Sequence, residues 1–409
     1  MKAIRFNFTM PRYVLGLVLG KLSPKFYWSG LTCTDFKEIP EPELPGDDWV
    51  KVKTILGGIC GSDTSQVKLI LSTYYEPLNS PQHTIGHENV GRIADIGVGV
   101  DNWRVGDRVI VEPLLWCKPR GYKDLCRYCA QGEINRCERF SDGDIAPGIQ
   151  VGACLDTGGS WSSYFVAHKS QLFRIPENIS DENALLIEPF SSSLHAVLNN
   201  FPQDNDKVLI VGAGTIGLGV LAALRALGSK ADIRVLGRHG FQADAARKLG
   251  ASQVVKIDRN DDYYSEIADW SGGSVKQPPI GRGIVIGGAD LTFECVGMSS
   301  SIDDAMRLTR NGGRVILVGA PGVIKMDWTS IDSQELEVKS SFYYNHAETY
   351  NGVQWKTFDL TIDLMANGKV DLGWLVTHKF QLKDYKHAFE MSNKRGKNQA
   401  LKIAFDFEQ

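Results

Sequence analysis

The chain has 409 residues, 43% of them hydrophobic and 23% charged, and its 45 Lys and Arg against 48 Asp and Glu leave a net charge of −3. At roughly 150 residues per domain the length predicts two to three domains, and the composition excludes a disordered or collagen-like protein. Near-neutrality argues against a nucleic-acid partner. Eight cysteines in a chain with room for a large core do not read as a disulfide framework.

Residues 13–20 (YVLGLVLG) are apolar but short, and Lys21, Pro24 and Lys25 follow where a cleavage site would be, so no secretory leader is expected. Residues 31–36 and 49–55 read as strands, separated by Pro40, Pro42, Pro45 and Gly46. Glycines and short apolar runs such as 108–111 continue the texture of a strand-rich domain. Near residue 184 the pattern changes. Helices are expected at 184–198, 216–227, 243–249 and 301–310, and strands at 208–211, 233–236, 254–257, 291–294 and 315–318. This alternation means a parallel sheet with crossover helices. The segment 270–288, rich in Gly, Pro and Ser, reads as a surface loop. A helix at 355–365 and a strand at 401–405 close the chain. There is no repeat at a fixed period. Residues 208–224 carry no charge but fall short of the roughly twenty residues a membrane span needs. The expectation is a cytoplasmic protein without a membrane partner.

Gly212-Ala213-Gly214-Thr215-Ile216-Gly217 joins an expected strand to an expected helix. In that context GxGxxG is a dinucleotide signature: Gly212 for the turn, Gly214 for approach of a pyrophosphate, Gly217 for helix–strand packing. The helix N-terminus at Thr215 and Ile216 offers amides to the phosphates. An acidic residue at the end of the next strand would bind the ribose of NAD. That place holds Gly237, followed by Arg238 and His239. The gap and the cation favour NADP, by charge-assisted pairing with a 2′-phosphate. Asp232 sits at the wrong end of the strand for the ribose.

Two groups of metal-ligating residues stand out. Cys60, His87 and Glu188 offer a sulfur, a nitrogen and an oxygen donor, the kind of set that holds a catalytic zinc with one position open. Asp63 is placed to orient His87, and His195 lies beyond Glu188. Cys117, Cys126, Cys129 and Cys137 are separated by eight, two and seven residues. Four thiolates around a CxxC suit a closed, structural zinc.

GICGSD at 58–63, GHENVGRIADIG at 86–97, the cysteine cluster and VGAGTIG at 211–217 occur in the order seen in medium-chain, zinc-dependent alcohol dehydrogenases. The chain resembles that family from about residue 31 to its end. The resemblance implies an α/β protein: a GroES-like, β-rich catalytic domain (1–187 and 341–409) interrupted by a Rossmann doubly wound parallel-sheet domain (188–340), with the active site in the cleft between them. It implies two zinc ions per chain and an NAD(P)-dependent activity on an alcohol, whether secondary alcohol, polyol, sugar or amino alcohol, in a dimer or tetramer. Cys60 and His87 match the catalytic zinc ligands. Glu188 stands at the third, as in the sorbitol and threonine dehydrogenase branch. Glu88 matches a glutamate that in some members moves onto the zinc, and Ser62 the hydroxyl that passes the substrate proton. Ser65 stands where a relay histidine is frequent.

Three features depart from the family: the first gap of the cysteine cluster, about twenty extra residues before Leu31, and the long 270–288 segment. Lys123 occupies the usual first cysteine position, so Cys117 reaches in from a longer loop, or Asp124 substitutes. Trp116, Trp161, Phe342, Tyr343 and Tyr344 are candidates for lining a substrate cleft. A zinc-free quinone or enone reductase and a non-catalytic NADP(H) sensor are the alternatives. The ligand set and Ser62 argue against both.

Overall fold

The computed structural model describes residues 1–257 and 262–408. They form two compact units: Met1–Glu188 with Asn345–Glu348 and the chain from Val353 onward, and Pro189–Tyr344 with Thr349–Gly352.

The second unit is built on a six-stranded sheet whose pairings are all parallel. Its order is Gln253–Lys256, Asp232–Gly237, Lys207–Val211, Ala289–Glu294, Thr309–Leu317, Glu337–Ser340. In chain sequence this is 3-2-1-4-5-6, the doubly wound arrangement with its crevice at the carboxyl ends of the first strands. Leu209, Val211, Leu236, Val255, Phe293 and Val315 are fully buried, as a sheet covered on both faces requires. The 270–288 segment differs from the loop expected. Trp270 belongs to the helix Asp262–Ser271, and Ser274–Lys276 pairs with Ile284–Ile286 as a β-hairpin. Arg282 pins this hairpin by bonding Asp304 at 2.8 Å and the hydroxyl of Tyr263.

The first unit holds a seven-stranded sheet. Its main path is Val376–Phe380, Lys402–Asp406, Trp49–Gly58, Asn89–Ile96, Arg108–Val111, Leu172–Arg174, and Tyr164–His168 also pairs with Trp49–Gly58. A three-stranded sheet, Thr34–Glu38, Lys2–Asn7, Gln82–Thr84, packs beside it. The strand Lys2–Asn7 was not expected. It pairs antiparallel with Thr34–Glu38, Phe6 opposite Thr34. The extra N-terminal residues are therefore an excursion between two neighbouring strands, containing a helix at Met10–Leu22. Around the cysteine cluster, the buried Arg120 donates to the carbonyls of Leu115, Asp142, Ile145, Ala146 and Gly148. One planar guanidinium thus satisfies five carbonyls of an irregular loop. Among the described residues no helix is long and apolar enough to cross a membrane.

Candidate metal and nucleotide sites

Sheet register brings the first group together. Gly57 pairs with Asn89 and Gly58 with Ala404, so Cys60, the His87-Glu88 pair and Lys402 leave three adjacent strands at the same end. Cys60 then caps the helix Gly61–Val67. One oxygen of Asp63 accepts the Cys60 amide at 3.1 Å and the other lies 3.0 Å from Nδ1 of His87. With Nδ1–H donating to that carboxylate, the Nε2 lone pair is left to face a metal. One donor atom each from Cys60, His87 and Glu88 lies within 4.8 Å of the others.

The Glu88 carboxylate is fully buried and ion-paired to Lys402, itself 2% exposed. Its Oε1 has no hydrogen-bond partner. Gly58 is needed here because a Cβ would strike that carboxylate. Lys402 was not expected at the site. Its only trace in the sequence is a lysine inside the apolar run Leu401–Phe405. Glu188 lies outside the three-atom group. It is buried at the start of the helix Ile187–Leu198, and among the described residues it forms no ion pair. Burial pushes its carboxyl up to about 7; Glu88 and Asp63 add to this, while His87 and Lys402 oppose it.

Ser62 is half-buried in the first turn of the Gly61–Val67 helix, and Ser65 follows one turn on. His195 is buried in the second unit, its Nδ1 3.1 Å from the side-chain nitrogen of Asn199. Trp161 is core, with its indole N–H donating to the Gly58 carbonyl at 2.8 Å. Trp116 meets His346 edge-on. Phe342, Tyr343 and Tyr344 stack edge-to-face in the second unit, with Tyr344 fully buried.

In the second group the sulfurs of Cys117, Cys126, Cys129 and Cys137 all lie within 4.8 Å of one another, and no described cysteine is in a disulfide. Cys117 and Cys137 are 3.7 Å apart. A tetrahedron with Zn–S near 2.3 Å has edges of about 3.8 Å, so the spacing fits zinc. The amides of Cys126 and Arg139 point at the sulfurs of Cys117 and Cys137, which favours thiolates. Cys117, not Asp124, is the fourth member.

The glycine turn has the shape a dinucleotide needs. Gly212 has φ +106°, and a Cβ on Gly217 would strike the Gly212 carbonyl. A Cβ on Gly214 would meet only open space. The helix Thr215–Ala226 begins there without an acidic residue or a side-chain cap, leaving its positive end available to a phosphate. At Gly237 a Cβ would make only ordinary contacts, the nearest at 3.4 Å, so packing does not demand glycine. Arg238 and His239 are exposed beside it, His239 stacked on Phe241. Asp232 accepts from the Trp270 indole at 2.7 Å, at the far end of the strand.

Residues 46–177 match the family model for the alcohol dehydrogenase GroES-like domain, and residues 215–357 that for zinc-binding dehydrogenases. The chain is 30% identical over 368 residues to an L-idonate 5-dehydrogenase of Vitis vinifera, covering 88% of each chain. It is 31% identical over 369 residues to a sorbitol dehydrogenase of Arabidopsis thaliana, covering 88% of this chain and 89% of that one. Its fold is similar to the crystal structure of 2R,3R-butanediol dehydrogenase from Bacillus subtilis, with a TM-score of 0.69, 25% identity and 99% of both chains covered.

Proposed function

Because the chain belongs to the zinc-dependent medium-chain alcohol dehydrogenase family, we propose that it oxidises a secondary hydroxyl of a polyol or sugar acid, with NADP as the preferred acceptor. The chain is a zinc-dependent oxidoreductase acting on an alcohol with NAD(P). The finer reading of the substrate is supported by the relatives named for idonate and sorbitol. The cofactor reading is supported by Gly237 and Arg238. The observation that carries the whole is the pairing of a Cys60 sulfur with a His87 ring nitrogen within 4.8 Å, His87 being oriented by Asp63.

When bound, zinc in an open site supplies a Lewis acid that stabilises an alkoxide, and NAD(P) supplies the hydride acceptor. In this reading Cys60, His87 and Glu188 hold the catalytic metal. Glu88 already has Lys402 as its counter-ion. Glu188 forms no ion pair among the described residues, and a metal beside its buried carboxyl would hold it in the ionised form that burial disfavours. Asp63 holds His87 in one tautomer and fixes the Cys60 backbone. Ser62, on the turn after Cys60, takes the substrate hydroxyl proton toward solvent. Cys117, Cys126, Cys129 and Cys137 hold a second, structural zinc. The Rossmann unit, expected at 188–340 and formed by Pro189–Tyr344 with Thr349–Gly352, binds the nucleotide through Gly212, Gly214, Thr215, Ile216 and Gly217. Arg238 and His239 receive the 2′-phosphate.

A cytoplasmic setting and a homo-oligomer belong to the same proposal. The unpaired cysteines support the first. The test is a screen of polyols, sugar acids, simple secondary alcohols and amino alcohols with NADP and NAD. Turnover confined to amino alcohols would overturn the polyol reading.

A further inference from the structure

The chain leaves the strand Lys2–Asn7 and returns at Thr34, the residue paired with Phe6. A two-residue turn suffices to join such neighbours, so the fold does not need the helix Met10–Leu22. That helix lies against the unit through its glycines. A Cβ on Gly16 would strike Leu69 and one on Gly20 would strike Tyr27. Its outer face is apolar: Met10, Val14, Leu15, Leu17, Val18 and Leu22 are all exposed, Leu22 by 76%.

We propose that this face docks onto an anionic lipid surface, with the helix lying in the plane of the interface. Residues 10–25 contain Arg12, Lys21 and Lys25 and no acid. Arg12 is taken by Asp35. Lys25 is taken by Glu390 at 3.3 Å, and Lys21 is exposed in the last turn with no ion-pair partner among the described residues. An apolar helix face that carries an exposed, unpaired lysine and no acid complements acyl chains and anionic headgroups together. The six side chains expose on the order of 500 Å² of apolar surface, a patch large enough to mark an interaction site. A dimer needs roughly 800 Å² from each partner, and pairing two copies here would bring like charges together. At 13 residues the helix lies on a bilayer and does not cross it.

The test is co-sedimentation of the full chain with vesicles of equimolar phosphatidylcholine and phosphatidylserine, against phosphatidylcholine alone. The unmodified chain is expected to sediment with the anionic vesicles and to be released by salt. The double variant Val14→Glu/Val18→Glu should lower partitioning at least about tenfold with an unchanged melting temperature, because two charges face the hydrocarbon boundary. If that variant does not fold, Met10→Glu/Leu22→Glu, at the exposed helix ends, serves in its place. Absence of sedimentation in the unmodified chain overturns the proposal, as does binding that survives the substitutions. So does a lipid-free oligomer that the variant dissociates, which would make the face a contact between copies.

Discussion

Nδ1 of His87 lies 3.0 Å from Oδ1 of Asp63, and both side chains are buried. The pair fixes which ring nitrogen faces Cys60 and Glu88. An amide at position 63 would keep the volume but lose the charge that holds the imidazole. Asp63→Asn is therefore expected to weaken zinc at the catalytic site by about ten- to a hundredfold. Competition with a chromogenic chelator measures this, and the cysteine-bound zinc should be unaffected. Equal affinity in both proteins would mean that Asp63 serves only the Cys60 turn.

The buried Glu88–Lys402 ion pair leaves no room for a single replacement. Lys402→Met strands a carboxylate in the interior and should cost about 3–5 kcal/mol in urea unfolding. Glu88→Gln added to that variant should restore much of the loss. A double variant as unstable as the single one would show that packing, not charge, is at stake.

Two ligand groups predict about two zinc ions per chain on metal analysis. Cys60→Ser and Cys126→Ser should each remove one, but with different consequences. Loss at Cys126 unties the loop around Arg120 and lowers the melting temperature. Loss at Cys60 abolishes turnover and leaves the fold. Glu188→Ala should resemble Cys60→Ser, and normal turnover in it would transfer the third-ligand role to Glu88.

Arg238 beside Gly237 predicts that NADP is preferred over NAD. A charge-assisted hydrogen bond contributes roughly 1.5–3 kcal/mol, about ten- to a hundredfold in kcat/KM. Arg238→Ala should lose that factor with NADP and change NAD little. Gly237→Asp, which the backbone accommodates, should reverse the preference. Comparable kcat/KM with both cofactors in the unmodified enzyme would contradict the assignment.

His83 makes stability fall on the acid side. It is buried, its Nδ1 2.7 Å from the Ser80 carbonyl and its Nε2 3.0 Å from the Gln66 amide nitrogen. Both contacts are good only for the neutral ring, with Nδ1 donating and Nε2 accepting. Burial lowers its pKa from 6.5 to about 4. Above 6.5 both folded and unfolded chains hold it neutral, so stability is full. Between 6.5 and 4 the unfolded chain takes up the proton first, and stability drops by up to about 3 kcal/mol. Burial lowers His168 to about 4 as well. Urea midpoints at pH 7 and pH 5 should therefore separate in the unmodified chain and separate less in His83→Gln. An identical separation would exclude His83 as a source.

What was legible in the sequence is what depends on neighbours along the chain. The glycine spacing at 212–217 marked the strand–turn–helix, because a positive φ and a close helix–strand approach are local demands. The CxxC at 126–129 announced the thiol cluster because those two cysteines are held together by the chain itself. The alternation of strand and helix from residue 208 gave the parallel sheet, since each crossover is a contiguous pattern. Tertiary structure alone decided contacts made by distant segments. Lys402 reaches Glu88 only through the register of three strands. The strand Lys2–Asn7 finds its partner only across the 8–33 excursion, which turned apparent extra residues into an exposed helix inside the fold. The 270–288 segment looked like a loop because Gly and Pro dominate it, yet Arg282 holds it as a hairpin on a neighbouring helix. Local periodicity carries no information about which buried charge will be met from across a sheet. That pairing is set by register and by the cost of leaving a charge unpaired in the interior.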